Sequence, residues 1–451
     1  MENVKKKSIF DVDLINGPIF KSLVLFAIPL FVSYLFQTLY NTVDTMIVGH
    51  VLGDTSLAAI GSTASIFELL VGFANGIGTG LCIVCSRCFG SGDEKQLKKS
   101  VCTAIVVGFS SAILISIIGC LTVKPLLTIL RTPDEIIDEA YSYIFVITLF
   151  TTVMFAYNLG SSLLRSVGDS LMPLIFLIFS SVLNIGLDYW FIAGLNMGIQ
   201  GAAYATALAQ GISAVLCFIY IVKYKKILVP SKEDFKIDKD LYVDMIGQGY
   251  SMGFMGSIVS IGSVILQYGI NDLGTTVIAA HTAARKVYSM MMLPVMGLAL
   301  ASPVFVGQNA GAGQFKRIRQ GLRDMNIFDI VLAAVMTIIC VVFGKAIVIG
   351  VSGTSDPTII DYAYRYVCVS APFFSVLGIL IQSRFALQGL GAKVVPLISS
   401  IIECVGKIIF CFIFIPMFGY EAVIWCEPLI WVVMMIQLLI SLYTHPSIKN
   451  A

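Results

Sequence analysis

Twelve apolar runs follow one another along almost the whole chain, near residues 19–48, 57–85, 98–122, 138–163, 171–193, 199–223, 243–270, 277–305, 323–350, 359–385, 394–416 and 420–443. Each reaches the roughly 20 residues that a helix, rising 1.5 Å per residue, needs to cross the hydrocarbon core of a bilayer. Within hydrocarbon a helix satisfies its own backbone hydrogen bonds and an open strand does not, so the runs predict helices. Composition agrees, with 57% hydrophobic and 12% charged residues against about 25% charged in a soluble domain. The expected fold class is an all-α membrane protein with twelve transmembrane helices.

Lysine and arginine orient it. The loops on one side carry Lys95, Lys98, Lys99, Arg165, Lys223, Lys225, Lys226, Lys316, Arg317, Arg319 and Lys393, as does the N-terminal Lys5 to Lys7; the other side carries Lys124, Arg131, Lys345 and Arg365. The basic side is cytoplasmic, which places both termini there, in the inner (cytoplasmic) cell membrane. Met1 to Gly17 is polar and leads into a run too long for a signal h-region, so the N-terminus is expected to stay in place. The longest polar stretch, rich in Lys, Asp and Glu, reads as a cytoplasmic linker over 223–244, between an N-lobe at 1–222 and a C-lobe at 245–451.

The halves repeat. Leu52-Gly53 and Ala58-Ala59 match Leu273-Gly274 and Ala279-Ala280 (274 − 53 = 221), and Gly90-Ser91-Gly92 matches Gly311-Ala312-Gly313. Ala140-Tyr141-Ser142-Tyr143 matches Ala363-Tyr364-Arg365-Tyr366, and Gly168 with Pro173 matches Gly391 with Pro396 at 223; Gly198 and Gly419 return to 221. Six spans per half is an even number, so both halves enter from the same side. That predicts two six-helix lobes related by a pseudo-two-fold along the membrane normal, with a shared cleft.

Catalysis has little behind it. His50, His281 and His445 lie far apart, no HExxH, GxSxG or Walker loop occurs, and the cysteines sit mostly inside apolar runs without metal spacing. Cys82, Cys85 and Cys88, at spacings of three, read as packing residues. The chain is therefore not expected to be an enzyme. Ionisable groups inside the spans ask for a function, since a mid-bilayer charge costs roughly 2.5 to 3.5 kcal/mol on insertion scales. They are Asp44, Glu68, Asp188, Arg285, Lys286, Glu403, Lys407 and Glu427.

In the first span Gln37, Asn41 and Asp44 fall at i, i+4 and i+7, on one helical face. Asn184 and Asp188 are one turn apart in the fifth span, and Thr206 of the sixth comes to similar depth. Two carboxylates together in low dielectric share a proton or hold a cation through oxygen, so these six residues form the candidate coupling-ion site. Na+ at Asp44/Asp188 is the one metal considered, and no other cofactor is expected. Glu68, Tyr40, Asn158, Gln267 and Met290 are the candidate substrate-cavity residues. Glu403 and Lys407 read first as an internal ion pair, and Glu427 stands at the repeat position of Thr206 (427 − 206 = 221).

Ile28-Pro29, Leu39 to Asp44 (LYNTVD), Leu57 to Gly61, the Gly90-Ser91-Gly92 loop, Leu164 to Asp169 with Pro173, Leu183 to Asp188 (LNIGLD), Gly198 to Thr206 and Gly389 to Pro396 together resemble the multidrug and toxic compound extrusion (MATE) family, in its DinF/MepA-like branch. The resemblance covers nearly the whole chain. It implies an acid and amide cluster at Asp44, Asn184, Asp188 and Thr206, and antiport of cationic, often aromatic compounds against protons or sodium ions. The acids that a second branch of the family carries on spans seven and ten are missing, with only Gln267 in the corresponding region of span seven. The expected partners are a small cationic substrate and the lipid bilayer, with no nucleic acid, and a monomer is expected. The alternatives are a flippase for a lipid-linked precursor, for which cavity cations are few, and a membrane enzyme.

Overall fold

The computed structural model describes residues 12–130 and 132–449, and among them every regular element is helical. The spans are α1 (Ile19–Leu52), α2 (Asp54–Gly90), α3 (Glu94–Ile129), α4 (Ile137–Leu149 and Thr151–Ser166, bent by 48° at the break), α5 (Leu171–Gly194), α6 (Ile199–Tyr224), α7 (Lys239–Asn271), α8 (Thr275–Gly311), α9 (Phe315–Ser352), α10 (Pro357–Gly389), α11 (Val394–Phe418) and α12 (Tyr420–Thr444). Several outrun their apolar cores. α3 starts four residues early (98 − 94) because Asp93 caps it, its Oδ1 accepting from the Gln96 N–H at 3.0 Å. The outward faces are apolar: on α3, Ile113, Leu114, Ile117 and Leu121 are all exposed, at the spacing of one helical face turned to lipid.

The chain forms two compact units, one of residues 12–17 with Ile28–Ser257, the other of Pro18–Ala27 with 258–449. The division differs from cuts at 222 and 245. The beginning of α7 belongs to the first unit because α2 and α7 meet backbone to backbone: a Cβ on Gly80 would lie 2.5 Å from the Gln248 carbonyl oxygen, and one on Gly76 would lie 2.8 Å from the Gly253 Cα. Phe73 closes the contact edge-on to Tyr250 and Phe254, with ring centroids 6.1 and 5.1 Å apart. The start of α1 goes with the second unit, where Ile19 packs near Gly321 of α9.

The repeat extends to backbone conformation. Gly53 and Gly274 have φ of +89° and +93°, Gly92 and Gly313 +75° and +69°, Gly168 and Gly391 both +93°, Gly198 and Gly419 +63° and +59°. At +93° a side chain would be strained, which is why the 168/391 pair is glycine in both halves. Both α5 and α11 also loosen into a π-helical stretch at matching places, Tyr189–Gly194 and Phe410–Phe414 (410 − 189 = 221).

Residues 225–244 are more than a solvated tether. Leu228 is fully buried, Lys225 Nζ stands 3.0 Å from the buried carboxylate of Asp169, Lys99 reaches Asp238 at 3.3 Å, and Arg87 reaches Asp244 at 2.7 Å. Ser231 and Asp234 form a capping box at the start of a short 3-10 turn, with the Asp234 carboxylate accepting from the Ser231 N–H and hydroxyl at 2.8 and 2.7 Å. Three of the charges that mark the segment as a linker in sequence, Lys225, Asp238 and Asp244, are thus paired, and they fasten it to the first unit as a strap.

Candidate functional site

On α1, Gln37, Tyr40, Asn41 and Asp44 recur at three- and four-residue spacing and share one face, which lines a cavity of about 340 Å³ within the first unit. Its other walls come from Thr63, Glu68 and Asn75 of α2, Tyr143, Ile147, Met154 and Asn158 of α4, and Thr206 and Gln210 of α6. The break in α4 after Leu149 helps to shape it, since Ile147 and Met154 lie on either side of the break. Glu68 opens a π-helical turn, Glu68–Gly72, and is exposed to the cavity.

Asp188 of α5 sits behind the α1 wall, fully buried, with its carboxyl in hydrogen-bonding reach of Asp44. The Asn184 amide satisfies both neighbours when Nδ2 donates to Asp188 Oδ2 at 2.9 Å and Oδ1 accepts from the Thr206 N–H at 3.2 Å. Thr206 Oγ1 lies 3.1 Å from the Tyr40 hydroxyl. The chain of contacts therefore runs Asp44, Asp188, Asn184, Thr206, Tyr40 and back to α1. One oxygen on each acid, Oδ1 of Asp44 and Oδ1 of Asp188, is buried with no hydrogen-bond partner. Two carboxyls meeting in an apolar interior do not both hold a charge without help, so the pair has the chemistry to take up a proton or an oxygen-loving cation. Among the described residues no group of three or more His, Cys, Asp or Glu side chains forms a metal cluster.

The structure brings together nine of the named residues within the first unit: Gln37, Tyr40, Asn41, Asp44, Glu68, Asn158 and Thr206 on the cavity wall, with Asp188 behind, held by Asn184. Asn158 turns its amide back to the Met154 carbonyl at 3.0 Å. Gln267 and Met290 belong to the second unit and line no part of this cavity; Gln267 Nε2 donates to Asn271 Oδ1 at 2.8 Å, and Met290 is exposed on α8. Tyr143 and Gln210 were absent from the sequence expectations for the site. Gln210 follows Thr206 by one helical turn, a spacing that could have revealed it. Tyr143 is electrostatically coupled to both acids, yet in sequence it is marked only by its repeat partner Tyr366.

The MatE family model matches the chain twice, over residues 29–190 and 252–413. The offset of 223 (252 − 29) is that of the internal repeat. A probable multidrug resistance protein, YoeA of Bacillus subtilis (strain 168), is 30% identical over 73% of each chain, and an FAD transporter of Shewanella oneidensis is 24% identical over 83% of each. Among solved structures, a crystal structure of MATE in the bent conformation superposes with a TM-score of 0.90 over 98% of this chain and 99% of that one at 22% identity, a likeness of fold. With both halves matched and the fold shared from end to end, the chain belongs to the multidrug and toxic compound extrusion (MATE) family of membrane transporters.

Proposed function

We propose that this chain exports cationic, amphipathic small molecules in exchange for a cation moving inward, with Asp44 and Asp188 as the coupling pair. The observation that carries this is the contact of two buried carboxyls, each with an orphaned oxygen, beside a cavity lined by Asp44 and Glu68 and by no Lys, Arg or His. A proton shared between the two carboxyls satisfies both at once, and it is the coupling cation of this reading. Taking up the proton removes charge from the α1 wall, and losing it restores a charge that a cationic substrate can neutralise in turn. Competition for one negative charge is then the source of coupling.

Pro29 gives α1 a place to respond. It lacks the N–H that a helix needs there, and the Ser33 hydroxyl donates to its carbonyl at 2.7 Å, so the ladder is already altered one turn before the site. The flippase reading has less behind it, since carboxylates in the cavity would repel a pyrophosphate group. Names of relatives that refer to multidrug resistance and to FAD transport support a small organic cargo.

The test is purified protein in sealed vesicles with a fluorescent organic cation and, in separate runs, a proton gradient or a sodium gradient. Export driven by the proton gradient alone is the expected result. Export driven only by sodium would transfer the pair to Na+, and movement independent of both gradients would end the antiport reading.

A further inference from the structure

The interior of the second unit holds buried charges of both signs. Arg285 of α8, Arg384 of α10 and Lys407 of α11 stand against Glu403 of α11 and Glu427 of α12, three cations to two carboxylates. Lys407 Nζ is taken up by Glu403 at 2.9 Å and by the Ser263 hydroxyl at 3.0 Å. Arg384 is buried with Nε and Nη2 unpartnered, the nearest carboxylate oxygen being Glu403 Oε2 at 3.7 Å.

Arg285 is the most accessible of the three cations. The guanidinium lies over the Tyr288 ring, 4.0 Å from the centroid, which fixes its plane. Nη1 donates to Glu427 Oε2 at 2.8 Å and to the Tyr366 hydroxyl at 3.5 Å, and Tyr366 in turn donates to the same Glu427 oxygen at 3.1 Å. Both guanidinium bonds use Nη1, which leaves the Nη2 and Nε donors of a five-donor fork for a ligand. The Arg285 side chain is 40% exposed where that of Glu427 is 11% exposed. Next to it on α8, Thr282, Lys286, Ser289 and Met290 are exposed. The two hydroxyls donate to their own helix at Ile278 and Arg285, but the charges of Arg285 and Lys286 are costly in lipid, so this face borders water.

We propose that Arg285 receives an oxyanion, a carboxylate or a phosphate, borne by the transported molecule, and that Glu427 occupies the guanidinium when no such ligand is present. The inference rests on the export reading and extends its substrate class to molecules that also bear an oxyanion. Glu427 stands where the repeat places Thr206 in the first unit, and Tyr366 where it places Tyr143. Both of those positions in the first unit, Thr206 and Tyr143, line its cavity.

Rhodamine B, with a free carboxylate, and rhodamine B ethyl ester, with that carboxylate masked, form a matched pair of probes whose binding to the purified full chain can be followed by fluorescence anisotropy. Rhodamine B should bind about tenfold more tightly than the ester, the usual effect of one charge-assisted hydrogen bond. Arg285→Gln should erase that preference, bringing the ratio of the two affinities within the variant to about one. Glu427→Gln should raise affinity for rhodamine B alone, because it removes the competing carboxylate. A purely structural ion pair would instead weaken both dyes in both variants, and that result would overturn the proposal, as would equal affinity for the two dyes in the unmodified chain. If Arg285→Gln does not fold, the Glu427→Gln arm decides by itself, since no gain in rhodamine B affinity there sinks the idea. Failure of the ester to bind would count against cationic export, whereas rhodamine B binding that still needs Arg285 would uphold the oxyanion site.

Discussion

The Asp188 carboxyl has one hydrogen bond from the Asn184 amide, one carboxyl neighbour and one empty oxygen. A buried carboxyl provided for in this way can take up or release a cation, which is the property coupling requires. Asp44→Asn and Asp188→Asn keep the shape and remove the charge, so each should reduce gradient-driven export in sealed vesicles to background. Insertion and folding should persist, read as an unchanged elution profile in detergent. Full export by either variant would remove that residue from the mechanism. Both acids were legible in sequence because a carboxyl within an apolar run is costly and needs a reason. Tyr143 and Gln210 were not, since a tyrosine or a glutamine in a membrane helix satisfies itself in many ways and nothing about its type calls for a site.

At the scale of helices, the contact between α2 and the start of α7 depends on the absence of side chains. A Cβ on Gly80 would come within 2.5 to 2.9 Å of backbone atoms of Gln248 and Gly249, which cannot step aside. Gly80→Val should therefore lower stability by about 1 to 3 kcal/mol, seen as a lower midpoint in thermal unfolding. Gly61→Ala, with nothing within 4 Å of its Cβ, should leave the midpoint in place. The strap gives a pH-dependent case. The Ser231 hydroxyl and N–H hold the Asp234 carboxyl below its usual value of 3.8, so the cap's contribution is present above that pH and is lost as pH falls through the lower folded value. Hydrogen exchange over 226–236 should accelerate on acidification below about pH 3.8, and Asp234→Ala should show the same acceleration at neutral pH. The repeat itself has been edited at this scale. Gly108 on α3 makes room for Phe155 on α4, whereas at the matching positions Asp329 on α9 fits against Gly378 on α10 (329 − 108 = 221; 378 − 155 = 223). The knob has moved to the other helix, a reversal that residue-by-residue comparison of the halves does not reveal as a contact.

For the molecule as a whole, the uneven distribution of lysine and arginine predicts the Gly90-Ser91-Gly92 turn in the cytoplasm and the Gly353-Thr354 turn outside. A cysteine placed at Ser91 should react with a membrane-impermeant maleimide only after cells are opened, and one at Thr354 should react in intact cells. The reverse pattern would invert the topology and with it the direction assigned to transport. Unmodified protein supplies the background, and it should be low, because Cys82, Cys85, Cys88, Cys102 and most other cysteines are buried.

Helix number, the order of spans and the internal repeat were determined by sequence alone, for a physical reason: hydrocarbon forces each segment to satisfy its own backbone, so span length and polar punctuation are local signals that no later packing overrides. Gln37, Asn41 and Asp44 could be put on one face for the same reason, since helical spacing is local. Only tertiary structure decided that Asp44 meets Asp188 from 144 positions away (188 − 44), that Arg285 reaches Glu427 across 142, and that the charged strap is docked on the first unit. Those pairings depend on which helix faces which and at what depth, and the glycine contacts and π-helical turns that set this carry no periodic signature in the chain.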